Sequence, residues 1–284
     1  MSAPPPGVQP KGIRIERGRA VTLHPMGVGE TLDAAFKLYR SAWKIFVGAA
    51  AIILVPLNFI QAFLTRSNLG AVFNVNEPRA TPSDSVLGAT AIFFIVTLLL
   101  VNPFLTALYA RATSELYLGT KPELNDALRF ARSKIGSILL ISILTGLAVF
   151  GGFILLVIPG IIFFVRFAFA NAAMVVEDER GREAMGRSWR LAKGHFWRLF
   201  GTLFLITIIT TFVTGAIGLP LSLAANAIGP SGWPLAAIGS SVASVIARPL
   251  VVIVVVVLYF DLRIRKEGFD ITLMIDDLSR GPGA

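Results

Sequence analysis

The chain has 284 residues, 55% of them apolar and only 15% charged, with a mean hydropathy of +0.73. A soluble domain carries about 25% charge, so this composition excludes an ordinary water-soluble fold, and its hydrophobicity excludes an intrinsically disordered chain. The absence of cysteine removes disulfides, thiolate metal sites and cysteine nucleophiles, which leaves a polytopic membrane protein.

Residues 1–27 contain Pro4, Pro5, Pro6 and Pro10 followed by a basic stretch. They lack the apolar segment of a signal peptide and read as a disordered, basic cytoplasmic tail. Residues 28–272 read as a single transmembrane domain, and residues 273–284 as a second cytoplasmic tail. A hydrocarbon core about 30 Å thick needs roughly 20 apolar residues of helix. Six stretches meet or approach that length: 42–64, 87–110, 136–157, 160–176, 199–219 and 235–260. The fourth is short and is separated from the third only at Ile158-Pro159, ahead of Gly160. Proline and glycine favour a turn there, so the pair reads as a tight helical hairpin; a broken helix with a re-entrant segment is the alternative.

Between these spans, three short stretches resemble one another: 35–40, 127–132 and 188–193. Each alternates small, apolar and basic residues and leads into a pair of spans. They predict three cytoplasmic interfacial amphipathic helices, used as a threefold internal repeat. Thr120 is positioned to cap the second of them, with Pro122 in its first turn. The fold class is therefore an all-α membrane bundle of six spans with three interfacial helices.

Orientation follows from the basic residues. Of 26 lysines and arginines, only Arg66 and Arg79 fall on the side opposite the termini, while Arg166 and Arg248 lie within spans. Both termini are expected in the cytoplasm. The net charge of +9, which in a soluble protein would suggest nucleic acid, reads here as a topology signal with attraction to anionic lipid headgroups.

An arginine at mid-bilayer costs at least about 2.5–3.5 kcal/mol and faces protein or water. Arg248 is central in the last span, and no carboxylate lies inside any span. Its candidate partners are the amides Asn58, Gln61 and Asn102, carbonyls freed beside Pro56, Pro103 and Pro249, or an anionic headgroup. Three readings stand: a buried structural contact, a helix break at Arg248-Pro249 with the preceding segment lying on the outer surface, or a ligand or lipid contact. Arg166 is expected to reach the outer interface, and with Arg248, Asn58 and Asn102 it completes the candidate contact set. Small residues at Ser240 and Ser244, and at Ala243 and Ala247, allow close helix approach.

No metalloprotease, CxxC, nucleophile-elbow or P-loop motif is present. His24 and His195 are far apart in sequence and both read as interfacial. Glu177-Asp178-Glu179 reads as a solvated charge run rather than a weak cation site. Catalytic residues, metals and cofactors are therefore not expected.

The tail 258–270, with Tyr259, Phe260, Asp261, Arg263, Arg265 and Glu267, joins Ile158-Pro159-Gly160, the Glu177 region and the 184–191 stretch in a recognisable pattern. Over residues 28–272 it resembles the glycerophosphoryl diester phosphodiesterase membrane domain family. In some members this membrane region is fused to a catalytic barrel; its histidines and metal-binding carboxylates have no counterpart here, so the activity is not carried over. The resemblance implies a bacterial inner-membrane protein. In physical terms, Asp261 near a helix C-terminus opposes the macrodipole and needs a partner. Arg265 stands at i+4, and Asp261 and Glu267 are expected to tie the tail to the basic helices. The expected role is a non-enzymatic scaffold or accessory subunit in envelope or lipid processes, the alternative a lipid-handling protein or transporter with a midplane polar site. The bilayer and its anionic headgroups are the expected partners.

Overall fold

The computed structural model describes residues 25–65, 84–179 and 181–268. Its regular structure is helical throughout: α1 (Val28–Ser41), α2 (Trp43–Thr65), α3 (Asp84–Val96), α4 (Asn102–Tyr117), α5 (Leu124–Ser133), α6 (Ile135–Leu155), α7 (Val157–Phe167), α8 (Ala170–Glu177), α9 (Arg182–Ala192), α10 (Phe196–Ile228) and α11 (Trp233–Glu267). Six helical stretches are long and apolar enough to cross a membrane: α2, α3 with α4, α6, α7 with α8, α10 and α11. The protein is thus a polytopic helical bundle.

α11 is the most enclosed span. It packs along α10 and α2 and also touches α1, α4, α8 and α9. Its sequence suits that place, because Ala237, Gly239, Ser241, Ala243 and Ala247 are small and buried. Nearer its C-terminus, Val256, Val257, Leu258, Tyr259 and Phe260 are all fully buried.

α1, α5 and α9 are the three short amphipathic helices expected from the repeat. The first residue of each motif, Ala35, Ala127 and Ser188, is buried at 1%, 0% and 0% exposure. A small residue is needed there because the helix lies close against a neighbour. Their apolar faces close one end of the bundle and do not serve lipid alone: Leu32, Ala35 and Leu38 of α1 belong to the main core. The lysines and arginines of these helices concentrate at this end, referred to below as the basic end.

Several element limits differ from expectation, each for a local reason. α10 runs to Ile228 through Pro220, so residues 220–228 are helix and not loop. α11 starts at Trp233 and continues through Pro249 to Glu267, which removes the proposed break at Arg248-Pro249. In both cases packing between the two long helices outweighs the one backbone bond that proline removes. The second span extends to Tyr117 and is interrupted by a π-helical turn at Thr97–Val101, where the Asn102 amide donates to the Thr97 carbonyl. Pro103 follows at once, and the widened turn accommodates its ring. Thr120 does not cap α5, whose N-cap is Glu123. Its amide and hydroxyl both donate to the Glu115 carbonyl, at 2.9 and 2.8 Å. Gly119, at φ 86°, supplies the left-handed residue that this α4 C-cap requires.

The α6–α7 hairpin turns at Leu156, in extended conformation, two residues ahead of the expected Ile158-Pro159 corner. Pro159 lies in the first turn of α7, where a missing N–H has no consequence. The corner is tight because two glycines face each other. A Cβ on Gly152 would stand 2.9 Å from the Gly160 Cα, and one on Gly160 would meet Phe153 at 2.5 Å. Gly160→Ala therefore forces the legs apart. Overpacking of this kind costs about 1–3 kcal/mol, and thermal unfolding in detergent is expected to register that loss, with no comparable effect from alanine at Gly146, where a Cβ has open space.

Candidate functional site: an intramembrane arginine and a buried ionic layer

Two polar regions stand out, one at the basic end and one deep among the spans. At the basic end, the Asp261 side chain is completely buried. It accepts from the Met26 amide at 2.7 Å, from Arg198 at 2.7 Å and from Arg265 at 3.0 Å. Arg265 also donates to the Met26 carbonyl at 2.9 Å, and Arg198 donates to the same carbonyl. One carboxylate thus joins the entry to α1, the first turn of α10 and α11. Its need for partners comes from desolvation, not from the macrodipole, because α11 continues to Glu267 before Gly268 ends it at φ 59°.

Beside it, Arg187 of α9 bridges two acids. It bonds Glu177 at 2.6 and 2.8 Å and Glu267 at 2.7 Å. Burial pulls the Arg187 guanidinium down, but its bonds to Glu267 and Glu177 more than offset that and hold it above its ordinary range. Arg263 approaches Glu177 and Glu267, each at 3.3 Å, and the Tyr259 hydroxyl donates to Glu177. Asp178 pairs with Lys134 at the foot of α6. Glu177 is therefore the hub of an ionic layer and not part of a solvated run. Lys266 completes the layer by donating to the Arg190 and Lys193 carbonyls at the end of α9, at 2.8 and 2.6 Å.

Arg248 lies about 20 Å along α11 from Asp261. It donates to the Asn102 side-chain oxygen, where the π-helical turn passes into α4. No ion pair to Arg248 occurs among the described residues. Its side chain is exposed and borders an open groove of about 610 Å³ between α10 and α11. Thr210, Thr211, Thr214, Ser222 and Ser240 place hydroxyls along an otherwise apolar lining.

The other expected contact residues fall elsewhere. Asn58 donates to Ser244 at 2.9 Å, linking α2 to α11, because it stands one turn away from Arg248 on the Trp233 side. Arg166 does not reach away from the basic end. Its guanidinium lies 4.2 Å from the Trp189 ring of α9, and its carbonyl accepts from Ser188 at 2.6 Å. The fourth span is interrupted at Ala168–Phe169, between α7 and α8, and the Phe169 amide donates to the same Ser188 hydroxyl at 3.2 Å. His195 is the N-cap residue of α10, whereas His24, Arg66, Arg79 and Asp270 lie outside the described residues. Sequence reasoning missed the α10 threonines. Thr207, Thr210, Thr211 and Thr214 follow i, i+3, i+4, i+7 spacing, which marks one polar helix face within an apolar span.

Residues 127–262 match a family described as a domain of unknown function (DUF7847). That similarity covers just under half of the chain, from the first small residue of α5 through Leu262. Comparison with curated proteins and with solved structures finds no match.

Removing one member of a buried ion pair leaves the others uncompensated and costs about 3–5 kcal/mol. Asp261→Ala is expected to fall in that range by thermal unfolding in detergent. Lys37→Ala, which loses an exposed i,i+4 pair with Asp33, is expected to change stability by less than about 1 kcal/mol.

Proposed function

We propose that this chain is a non-enzymatic, multi-pass protein of a bacterial plasma membrane that holds an anionic amphiphile in the groove between α10 and α11. The observation that carries this reading is the state of Arg248. It is a fixed cation about 20 Å from the nearest carboxylate along its own helix, held by a neutral amide and exposed to the groove. An amide orients a guanidinium but does not neutralise it. A phosphate or carboxylate does, through a bidentate pair; of the lining hydroxyls, Thr210, Ser222 and Ser240 already donate to carbonyls of their own helices, which leaves Thr211 and Thr214 as further donors. The apolar remainder of the groove suits an acyl chain. The basic end is assigned to the cytoplasm on the rule that lysine and arginine concentrate there.

A scaffold or accessory subunit is the second reading, and α3 favours it. Leu87, Ile92, Phe94 and Ile95 are all more than half exposed on this helix, a face suited to a helix of another protein.

Mass spectrometry of protein extracted directly into native nanodiscs separates the two. For the wild type, we expect one anionic lipid enriched over bulk membrane; Arg248→Leu is expected to lose that enrichment and Arg248→Lys to keep part of it, with helix content unchanged in both. Bulk lipid composition in wild type and variant alike, together with a protein partner at fixed stoichiometry, would replace the lipid reading with the scaffold.

A further inference from the structure

The α6–α7 hairpin differs from the α10–α11 hairpin in length and in the chemistry of its turn. We propose that the α6–α7 turn ends inside the hydrocarbon of the bilayer and meets acyl chains, not water. Three independent features carry this.

The first is composition. From Gly146 to Val165 the chain has no polar side chain, and this run contains both the end of α6 and the start of α7. The turn itself is Leu155, Leu156, Val157 and Ile158, exposed at 74%, 69%, 62% and 71%. A turn at a water interface carries glycine, asparagine, serine or aspartate, as the α10–α11 connection does with Gly229, Ser231 and Gly232. That connection is followed by Trp233, whose ring meets Phe59 and Phe63 of α2, an aromatic group of the kind found at membrane interfaces.

The second feature is backbone satisfaction. Irregular backbone is excluded from hydrocarbon unless its polar groups are paired. Here Leu156 alone leaves the helical conformation and its own amide and carbonyl are both paired, while the Val157 and Ile158 amides stay outside the ladder as at any helix N-terminus. The Leu156 amide donates to the Gly152 carbonyl at 3.0 Å, and the Gly160 amide donates to the Leu156 carbonyl at 3.4 Å. Pro159 has no N–H to leave unpaired. The Gly152–Gly160 contact allows the two legs to meet this closely without a polar loop.

The third is length. The foot of α6 is tied to the ionic layer through Lys134 and Asp178. From Lys134 to Leu156 the rise is about 33 Å. From Arg198, in the same layer, to Ile228 the rise is about 45 Å, and from Arg263 back to Trp233 it is again about 45 Å. A bilayer with its headgroups is about 40–45 Å thick, around a core of about 30 Å. The long hairpin therefore clears both headgroup zones. The short one, started from the same layer, stops about 12 Å before the long turn, at the far edge of the hydrocarbon.

The absence of native cysteine makes the test direct. Full-length Leu156→Cys, Ile158→Cys and Ser231→Cys are reconstituted at one copy per nanodisc, and a water-soluble maleimide is added. Thiol reaction requires the thiolate and hence water, so Leu156→Cys and Ile158→Cys are expected to react at least about tenfold slower than Ser231→Cys. Unfolding in SDS is expected to equalise all three. Equal rates in the bilayer would overturn the proposal. A nitroxide attached at Leu156→Cys in detergent, before reconstitution, identifies what covers the turn. High accessibility to oxygen with low accessibility to a nickel chelate is the expected result. Low accessibility to both would mean protein covers the turn, and would equally overturn the proposal.

Discussion

A carboxylate with no exposure to solvent has to find its hydrogen-bond donors inside the protein, and Asp261 finds them on three separate pieces of chain. The Met26 amide, Arg198 and Arg265 converge on it, so the entry to α1, the foot of α10 and the end of α11 are fixed relative to one another. The neighbouring Glu177, Arg187, Arg263 and Glu267 set extends the same logic to α8 and α9. Within a membrane, apolar surfaces provide little driving force for helix association because lipid is equally apolar. An ionic layer at one end therefore does what a hydrophobic core does in a soluble bundle: it chooses the arrangement.

Arg248 is the same chemical group in the opposite circumstance. At the basic end, Arg187, Arg198, Arg263 and Arg265 each pair with a carboxylate, sharing Glu177, Asp261 and Glu267 among them. Arg248 has the Asn102 amide, a π-helical turn beside it and a groove in front of it. π-helical turns recur at functional sites, and this one sets where Asn102 stands within the second span. Geometry and charge coincide here: a positioned donor set, a local excess of one positive charge, and an apolar channel along which an amphiphile can lie.

The two hairpins divide the labour differently. α10 and α11 are long, end in a polar turn and carry the groove. α6 and α7 are short, end in an apolar turn and are joined by a glycine contact. The bundle is consequently tight at the ionic layer and looser away from it, where α3 and the tip of α6–α7 present large apolar side chains. That contrast has a physical basis among the described residues, since charge pairing acts at the basic end, while the far half is held by packing and the Asn58–Ser244 bond.

The number of spans, the class and the three amphipathic helices were legible from residue order alone, because hydrophobic run length and the spacing of small and basic residues are local properties. The need of Asp261 for partners was legible too, although the macrodipole that suggested it is not the cause: the helix runs on to Glu267, and burial of the carboxylate is what demands donors. Of its actual partners, Arg265 was legible at i+4, but Met26 and Arg198 were not: they lie 235 and 63 residues away, and nothing local selects them over other donors. The choice of Asn102 over Asn58 for Arg248 is of the same kind, decided by which helix packs at which height. The continuation of α10 past Pro220 and of α11 past Pro249 was likewise a tertiary outcome. Proline lowers local helix propensity, and only the packing of two long helices against each other outweighs it. Local chemistry thus specified what each segment is, and long-range packing decided which polar groups meet, because a hydrogen bond depends on distances that no single segment contains.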